Sequence, residues 1–587
     1  MHPALEISEI VDLVVADFQP DTETFRSPDS KVLAILARTC TTFHDIALDT
    51  LWRHQTTILN LVRCMPQDLW ETVELNRIPT MCLRRAPTAS DWGRALKYAY
   101  RVKYLLCGDI QPYTLREPDL IRVYEILRQG IPGGLLLPKL QHLSWYHRHS
   151  PHCSFIDLFL GTWTTSLCVW TQANVPCPVL AALGQRSAML VSVVLFGVPE
   201  QSSDLEQTQK NVFIRTLTQV EALNTRPIDS QTLEHLGRLT TLRTLRTILS
   251  PTKPSHAISE GSLFPELREA EIEVYNGDFL ALVAFVRTWN NPPMKSAEFM
   301  VGGCEELQQV RDLYDVLATH CLHDKLRTLK MLVYRGDGMN ILLTHSAYSF
   351  RPLFCFTQLR DLEILVPDGH DLDDETISAM ARAWPRIKRL VLRCSLRSTY
   401  YNLHPPRCTL LSLDLLAQHC LRLEQLAMTL NASEPPQQLT ANSARRVAQD
   451  RLTQLQVGFS PISDTSTVAA FIKSIFSNLT KIEKSGLRGS DTVVREHAQR
   501  WSDVEELKWF RLCIGVLNSQ VDLGQVDLRI EHPLCYSTIE TKDDIGTEDL
   551  NVPLKELPEW DGRELEIYTS KVKYNKVTCT PGSISAL

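Results

Sequence analysis

A short pattern, apolar-x-x-apolar-x-apolar, returns along this chain at nearly even intervals and restricts the possible folds more than any other feature. It reads Leu242-Arg-Thr-Leu245, Leu267-Arg-Glu-Ala270-Glu-Ile272, Met294-Lys-Ser-Ala297-Glu-Phe299 and Leu326-Arg-Thr-Leu329-Lys-Met331. It continues as Leu359-Arg-Asp-Leu362-Glu-Ile364, Ile387-Lys-Arg-Leu390-Val-Leu392, Leu423-Glu-Gln-Leu426-Ala-Met428, Leu452-Thr-Gln-Leu455-Gln-Val457 and Leu479-Thr-Lys-Ile482. Successive first residues are roughly 25 to 36 positions apart, about 30 on average. Helical periodicity fills the intervals, over Asp278 to Trp289, Cys304 to Cys321, Asp374 to Trp384, Leu410 to Cys420 and Thr467 to Asn478.

One strand and one helix per unit of this length is the signature of a leucine-rich repeat. Such a unit is too small to bury its own apolar face, so units must stack, with strands forming a parallel sheet inside and helices outside. The expected fold class is therefore α/β, with a leucine-rich-repeat solenoid over 102–487. Val102 to Leu106, Leu140 to Trp145, Ser166 to Trp170 and Met189 to Phe196 read as irregular first strands, as expected near the end of an array. Alternation points Leu329 and Leu362 inward and leaves Lys330 and Glu363 facing solvent, where substitution should change stability little. The expected partner surface is a concave strip carrying Arg327, Lys330, Arg360, Glu363, Lys388 and Val391, mixed and slightly basic, suited to a folded or acidic protein.

Composition rules out several classes. The 587 residues exceed one compact core. The net charge of -7 argues against a nucleic-acid-binding footprint. Sixteen cysteines without a C-x-x-C pair indicate neither a disulfide framework nor a zinc ribbon. The start is not that of a signal peptide, and the longest apolar run, about Ala188 to Val198, is too short to span a membrane. The chain reads as cytosolic or nuclear, with reduced thiols. The acceptor patterns at Asn431 and Asn478 are then chance matches.

The first 55 residues differ from the rest. Ile7, Ile10, Val11, Val14 and Phe18 form one helical stripe, and Val32, Leu33, Leu36 and Cys40 form a second. Phe43, Ala47, Leu48, Leu51 and Trp52 form a third. Three short amphipathic helices cannot cover all these side chains among themselves, so some apolar surface is left for a partner.

At these residues the chain resembles the F-box family. The residues that carry the resemblance are Ile7-Ser8-Glu9-Ile10-Val11, then Ala37-Arg38-Thr39-Cys40 with Phe43, then Leu51-Trp52-Arg53. The continuation Ile58-Leu59-Asn60-Leu61-Val62-Arg63-Cys64-Met65-Pro66 is similar to the fungal group of F-box proteins with leucine-rich repeats. Ser8 stands where the family usually has proline, and the insertion from about Gln19 to Pro28 is longer than usual. The resemblance implies docking on a Skp-type adaptor, and through it on a cullin–RING ligase, by Leu5, Ile7, Ser8, Glu9, Ile10, Val11, Val14, Leu36 and Trp52. It also implies a non-catalytic role, recruiting a protein substrate to the ligase without a cofactor. A repeat scaffold whose helical cap no longer binds the adaptor is the other reading.

Residues 56–101 read as a helical linker, with a helix from about Thr57 to Trp70 and another opened by Ser90-Asp91-Trp92. Residues 488–587 read as a C-terminal cap followed by an acidic extension, whose low periodicity leaves order and partial disorder both open. Phosphate-binding, nucleophile-elbow and zinc-protease motifs are absent from the sequence. Gln129 to Gly134 reads as a turn into a strand. His147-Arg-His149-Ser-Pro-His152-Cys153 has zinc-binding residue types but no second half at the usual spacing, so no metal is expected. Asp368 to Glu375 lacks a calcium-loop spacing and reads instead as the cap of a following helix.

Overall fold

The computed structural model describes residues 7–16, 18, 30–75, 78–85, 87–108, 117–131, 134–146, 154–170, 189–196, 204–249, 261–275, 278–304, 308–335, 345–394, 406–434, 449–484 and 492–518. Leu5, the insertion after the first helix, the His147–Cys153 loop and the acidic extension lie outside these residues.

Three helices open the chain: α1 (Ser8–Ala16), α2 (Ser30–Leu36) and α3 (Thr41–Arg53). Val11, Val15 and Leu33 are buried between them, with Phe18, Phe43, Ile46 and Leu51 packed around. A core of this size is small, and the helical domain is braced by the main body of the chain. Trp52 stacks on Tyr98 at 4.6 Å between ring centroids and packs against the main core. Arg101 ties α3 down through Asp45 at 2.7 Å and through Asp49.

Without any intervening residue, α3 runs into β1 (His54–Gln55), the first strand of the principal sheet. The segment expected to be a helical linker is only partly helical. A five-residue helix (Leu59–Arg63) is followed by an antiparallel hairpin, β2 (Trp70–Leu75) and β3 (Ile78–Leu83), then by a helix at Trp92–Ala99. The helix expected to reach Trp70 stops early, and a buried Leu69 leads directly into the alternating Trp70-Glu71-Thr72-Val73 of β2.

The sheet continues through β4 (Tyr104–Gly108), β5 (His142–Tyr146), β6 (Ser166–Trp170), β7 (Ser192–Phe196), β8 (Ala222–Ile228), β9 (Thr244–Leu249), β10 (Glu269–Val274), β11 (Ser296–Cys304) and β12 (Thr328–Arg335). A small pair, β13 (His345–Ser346) with β15 (His370–Asp371), flanks β14 (Asp361–Val366). Then come β16 (Arg389–Cys394), β17 (Gln425–Ala427), β18 (Gln454–Gly458) and β19 (Lys481–Lys484). Fifteen of these strands, in chain order and all parallel, form one sheet, which is the expected solenoid. β8 is an addition to the expected strands. Its unit starts with Val220 in place of leucine and carries Pro227 at a register shift between Thr225 and Ile228.

Alternation decides what the sheet buries. Leu329, Met331 and Val333 of β12 and Leu362, Ile364 and Val366 of β14 are buried with no measurable exposure. Several helices of the array start on side-chain caps. Asp229, Asp278 and Asp373 accept from Thr232, Ala281 and Thr376 amides at 2.7, 2.9 and 2.9 Å. Asp373 is thus the cap expected for the Asp368–Glu375 run. Its neighbour Asp374 reaches the next unit and accepts from the Thr409 amide at 2.8 Å and hydroxyl at 2.7 Å.

The array closes on a helix, Thr492–Asn518. Trp501 is buried and donates from Nε1 to the Ser460 carbonyl at 2.8 Å, while Glu505 accepts from the Ile482 amide of β19 at 3.1 Å. A sheet edge that would otherwise recruit another strand has one of its amides satisfied from within the chain.

Candidate interaction surfaces

Two surfaces stand out, one on the helical domain and one on the repeats. On the helical domain, Ile7, Leu13, Val14, Val32 and Ile35 are exposed, Leu13 at 71% and Ile35 at 60%. Apolar side chains this exposed on short helices lower their free energy by being covered. Ile7 and Val14 of the expected contact set are among them. Glu9 is exposed as well, and Ile10 and Leu36 are half-buried.

Two residues of that set are placed elsewhere. Val11 is wholly buried in the small core, and Trp52 is engaged at the joint with Tyr98. The physical reason is that α1 is apolar on two sides. Packing against α2 and α3 takes Val11 and Val15, leaving Leu13 and Val14 outside. Leu13 and Ile35 fall off the stripes drawn by periodicity, so the pattern alone does not single them out. The signal available in the sequence is that each helix has more apolar residues than one face can hold.

On the repeats, the residues expected on one concave strip divide between two places. Lys330, Glu363 and Val391 lie on the strands, pointing away from the buried leucines. Arg327, Arg360 and Lys388 each precede their strand by one residue and stand at the rim where the chain enters the sheet. Each stands three residues before the concave residue of its strand, an odd spacing that period-two alternation cannot put on one face. The strand begins two residues after the first apolar residue of the pattern.

The concave strands carry a chain of ion pairs. Arg226 pairs with Glu273, Arg246 with Glu271 at 3.2 Å, and Lys330 with Glu298 at 3.0 Å. Glu363 sits between Arg389 at 2.8 Å and Arg393 at 2.9 Å, so it is not the solvent-facing residue the sequence suggests. Burial works against the charged form of Glu363, but the two guanidiniums outweigh it and hold the carboxyl below its ordinary value. For Glu271 and Glu273 the balance is reversed. Burial pushes both carboxyls up, only partly offset by Arg246 and Arg226.

Towards the start of the sheet the same face turns aromatic. Tyr146, Trp170 and Phe196 stand in register on β5, β6 and β7, half-buried, and His54, Tyr104 and His142 stack across β1, β4 and β5 at 4.3 and 4.4 Å. The repeat pattern assigns these residues no role, although each shares the alternation that leaves the neighbouring leucines buried. Among the described residues no group of three His, Cys, Asp or Glu side chains could hold a metal ion. No described helix is long and apolar enough to cross a membrane.

These features define a leucine-rich-repeat-like solenoid with a helical domain built onto its first strand. No protein-family model matches the chain, and no curated protein matches it. Solved structures that match include the crystal structure of the Rad7 and Elc1 complex in yeast. The match has 13% identity and a TM-score of 0.27, and covers 64% of this chain and 88% of that one. At those values the likeness adds nothing to what the chain's own strands show.

Proposed function

We propose that this chain is a non-catalytic substrate receptor of a Skp-cullin-F-box-type ubiquitin ligase. The helical domain docks on the Skp-type adaptor, and the repeats hold a protein substrate in the cytosol or nucleus. The observation that carries this reading is the exposure of Ile7, Leu13, Val14, Val32 and Ile35 on a domain whose core takes Val11, Val15 and Leu33 and whose Trp52 is held at the joint. The F-box resemblance of the same domain gives the adaptor. The chain then contributes proximity: a substrate lysine held near the charged thioester reacts at a high effective concentration.

The test is capture of the purified adaptor by the full chain. Leu13→Asp with Val14→Asp places two charges where an apolar partner must desolvate them, so affinity should fall by about 100-fold or more. Both positions are exposed in the free chain, so the variant should fold. Equal capture by variant and parent sinks the adaptor reading and leaves a repeat scaffold. Ser8→Pro should keep or strengthen capture, because residue 8 opens α1 and proline is well tolerated in a first turn.

A further inference from the structure

At the rim where the chain enters the sheet, one residue per unit occupies an equivalent place. Its carbonyl accepts from the amides at the start of the next unit. From β9 to β16 these residues are Arg243, Arg268, Lys295, Arg327, Arg360 and Lys388. The rungs are regular: the Lys295 amide donates to Arg268 at 2.7 Å, Arg327 to Lys295 at 2.9 Å and Arg360 to Arg327 at 2.7 Å. Six bases therefore stand in file across six neighbouring strands of a chain whose net charge is -7.

The file is neutralised at its ends and bare in its middle. Glu221 and Glu424 hold the equivalent place in the units on either side, and they pair with Arg243 at 3.4 Å and Lys388 at 2.8 Å. Arg268, Lys295, Arg327 and Arg360 have no ion-pair partner among the described residues. Glu266 and Glu269 are exposed beside Arg268, whereas Asp361, beside Arg360, is held by Arg389 at 2.9 Å. Like charges facing each other on adjacent strands destabilise a sheet. Four of them in a row, without an ion pair among the described residues, point to a counter-charge supplied from outside.

We infer that this rim is a docking site for an acidic α-helix of a partner protein. The inference rests on the reading of the repeats as the substrate-holding half and names the class of substrate. Strands in a sheet are about 4.8 Å apart. On a helix, carboxylates at i, i+3 and i+4 rise about 4.5 and 6 Å along the axis, so one acidic stripe of roughly three turns stays in step with four successive bases. Same-face residues of an extended peptide repeat at about 6.8 Å and fall out of step after two. Single-stranded nucleic acid is the weaker fit. The bare stretch is only four side chains long, the bases on either side of it are paired with glutamates, and the chain as a whole is acidic.

The test uses the full chain and three fluorescent probes: a helical peptide with glutamates in one stripe, a peptide of the same composition with glutamates spread around the helix, and an oligonucleotide of equal charge. The striped peptide should bind about tenfold tighter than the spread one, and Arg327→Gln with Arg360→Gln should remove that advantage. Raising salt from about 0.05 M to about 0.3 M should weaken binding further, while Lys330→Gln on the concave face should leave it unchanged. Equal binding of the two peptides, tighter binding of the oligonucleotide, or indifference to the double variant would each overturn the inference. Adaptor capture is read in the same samples. Its loss alone counts against the ligase reading, and loss of stripe selectivity alone counts against the rim.

Discussion

Leu362→Ala is expected to cost about 2–5 kcal/mol, the transfer and cavity terms of a fully enclosed leucine. The side chain has no measurable exposure and stands in register with Leu329 on one side and Leu390 on the other. Because each unit is supported by its neighbours, the loss should lower the stability of the adjoining units as well. Two neighbours calibrate the result. Lys330→Ala breaks a single ion pair and should cost about 1 kcal/mol. Glu363→Ala should cost more, about 1–3 kcal/mol, because Arg393 loses its carboxylate and Arg389 is left with Asp361 alone. Denaturant midpoints should fall most for Leu362→Ala, less for Glu363→Ala and least for Lys330→Ala. Glu363→Ala as harmless as Lys330→Ala would mean the concave pairs are solvated in solution.

The other large effect concerns acid. His345 is buried with both ring nitrogens lacking a hydrogen-bond partner among the described residues, in ring contact with Tyr314, Phe350 and His370. Burial, and then the neighbouring imidazole of His370, push the His345 pKa well below 6.5, and burial takes His370 down to about 4. The unfolded chain takes up these protons near pH 6.5 while the folded chain refuses them, so stability rises with pH across this window. It is fully present above about pH 6.5 and is lost progressively as pH falls, the His370 part levelling off below about pH 4. For His370 the loss is on the order of 3 kcal/mol. His345→Leu removes a charge site that makes no hydrogen bond. It should hold or raise stability at pH 7 and reduce the difference between urea midpoints at pH 7 and pH 5. An unchanged difference would show that the two nitrogens are satisfied in solution.

How much of this can be read from the residues varies with the element. The central strands are legible because a parallel sheet backed by helices demands large aliphatics at fixed positions, and Leu326, Leu359 and Leu423 supply them in plain view. β1 is not, since two residues, His54 and Gln55, carry no period. β8 escapes because valine and a bulged proline disguise its unit. The surfaces are legible only in composition. Periodicity identifies α1 as apolar but does not choose which side turns inward, a choice made by Leu33 and Ile46. Likewise Leu-x-x-Leu does not record where pairing begins, so a rim of bases and a concave net of ion pairs read as one strip.

If the proposed docking holds at both ends, the direct passage from α3 into β1 would make the chain a measuring device. No residue separates the helices from the sheet, so an object bound on the repeats would be set at a fixed number of strand steps from anything bound on the helices. The row of bases begins six steps beyond β1 in the strand order, roughly 30 Å along the sheet. A unit added or removed between them would move that object by one step, about 4.8 Å, and turn it by the local twist, with neither surface altered. Reach in such a protein is therefore counted in whole repeats, and changing it requires no new contact.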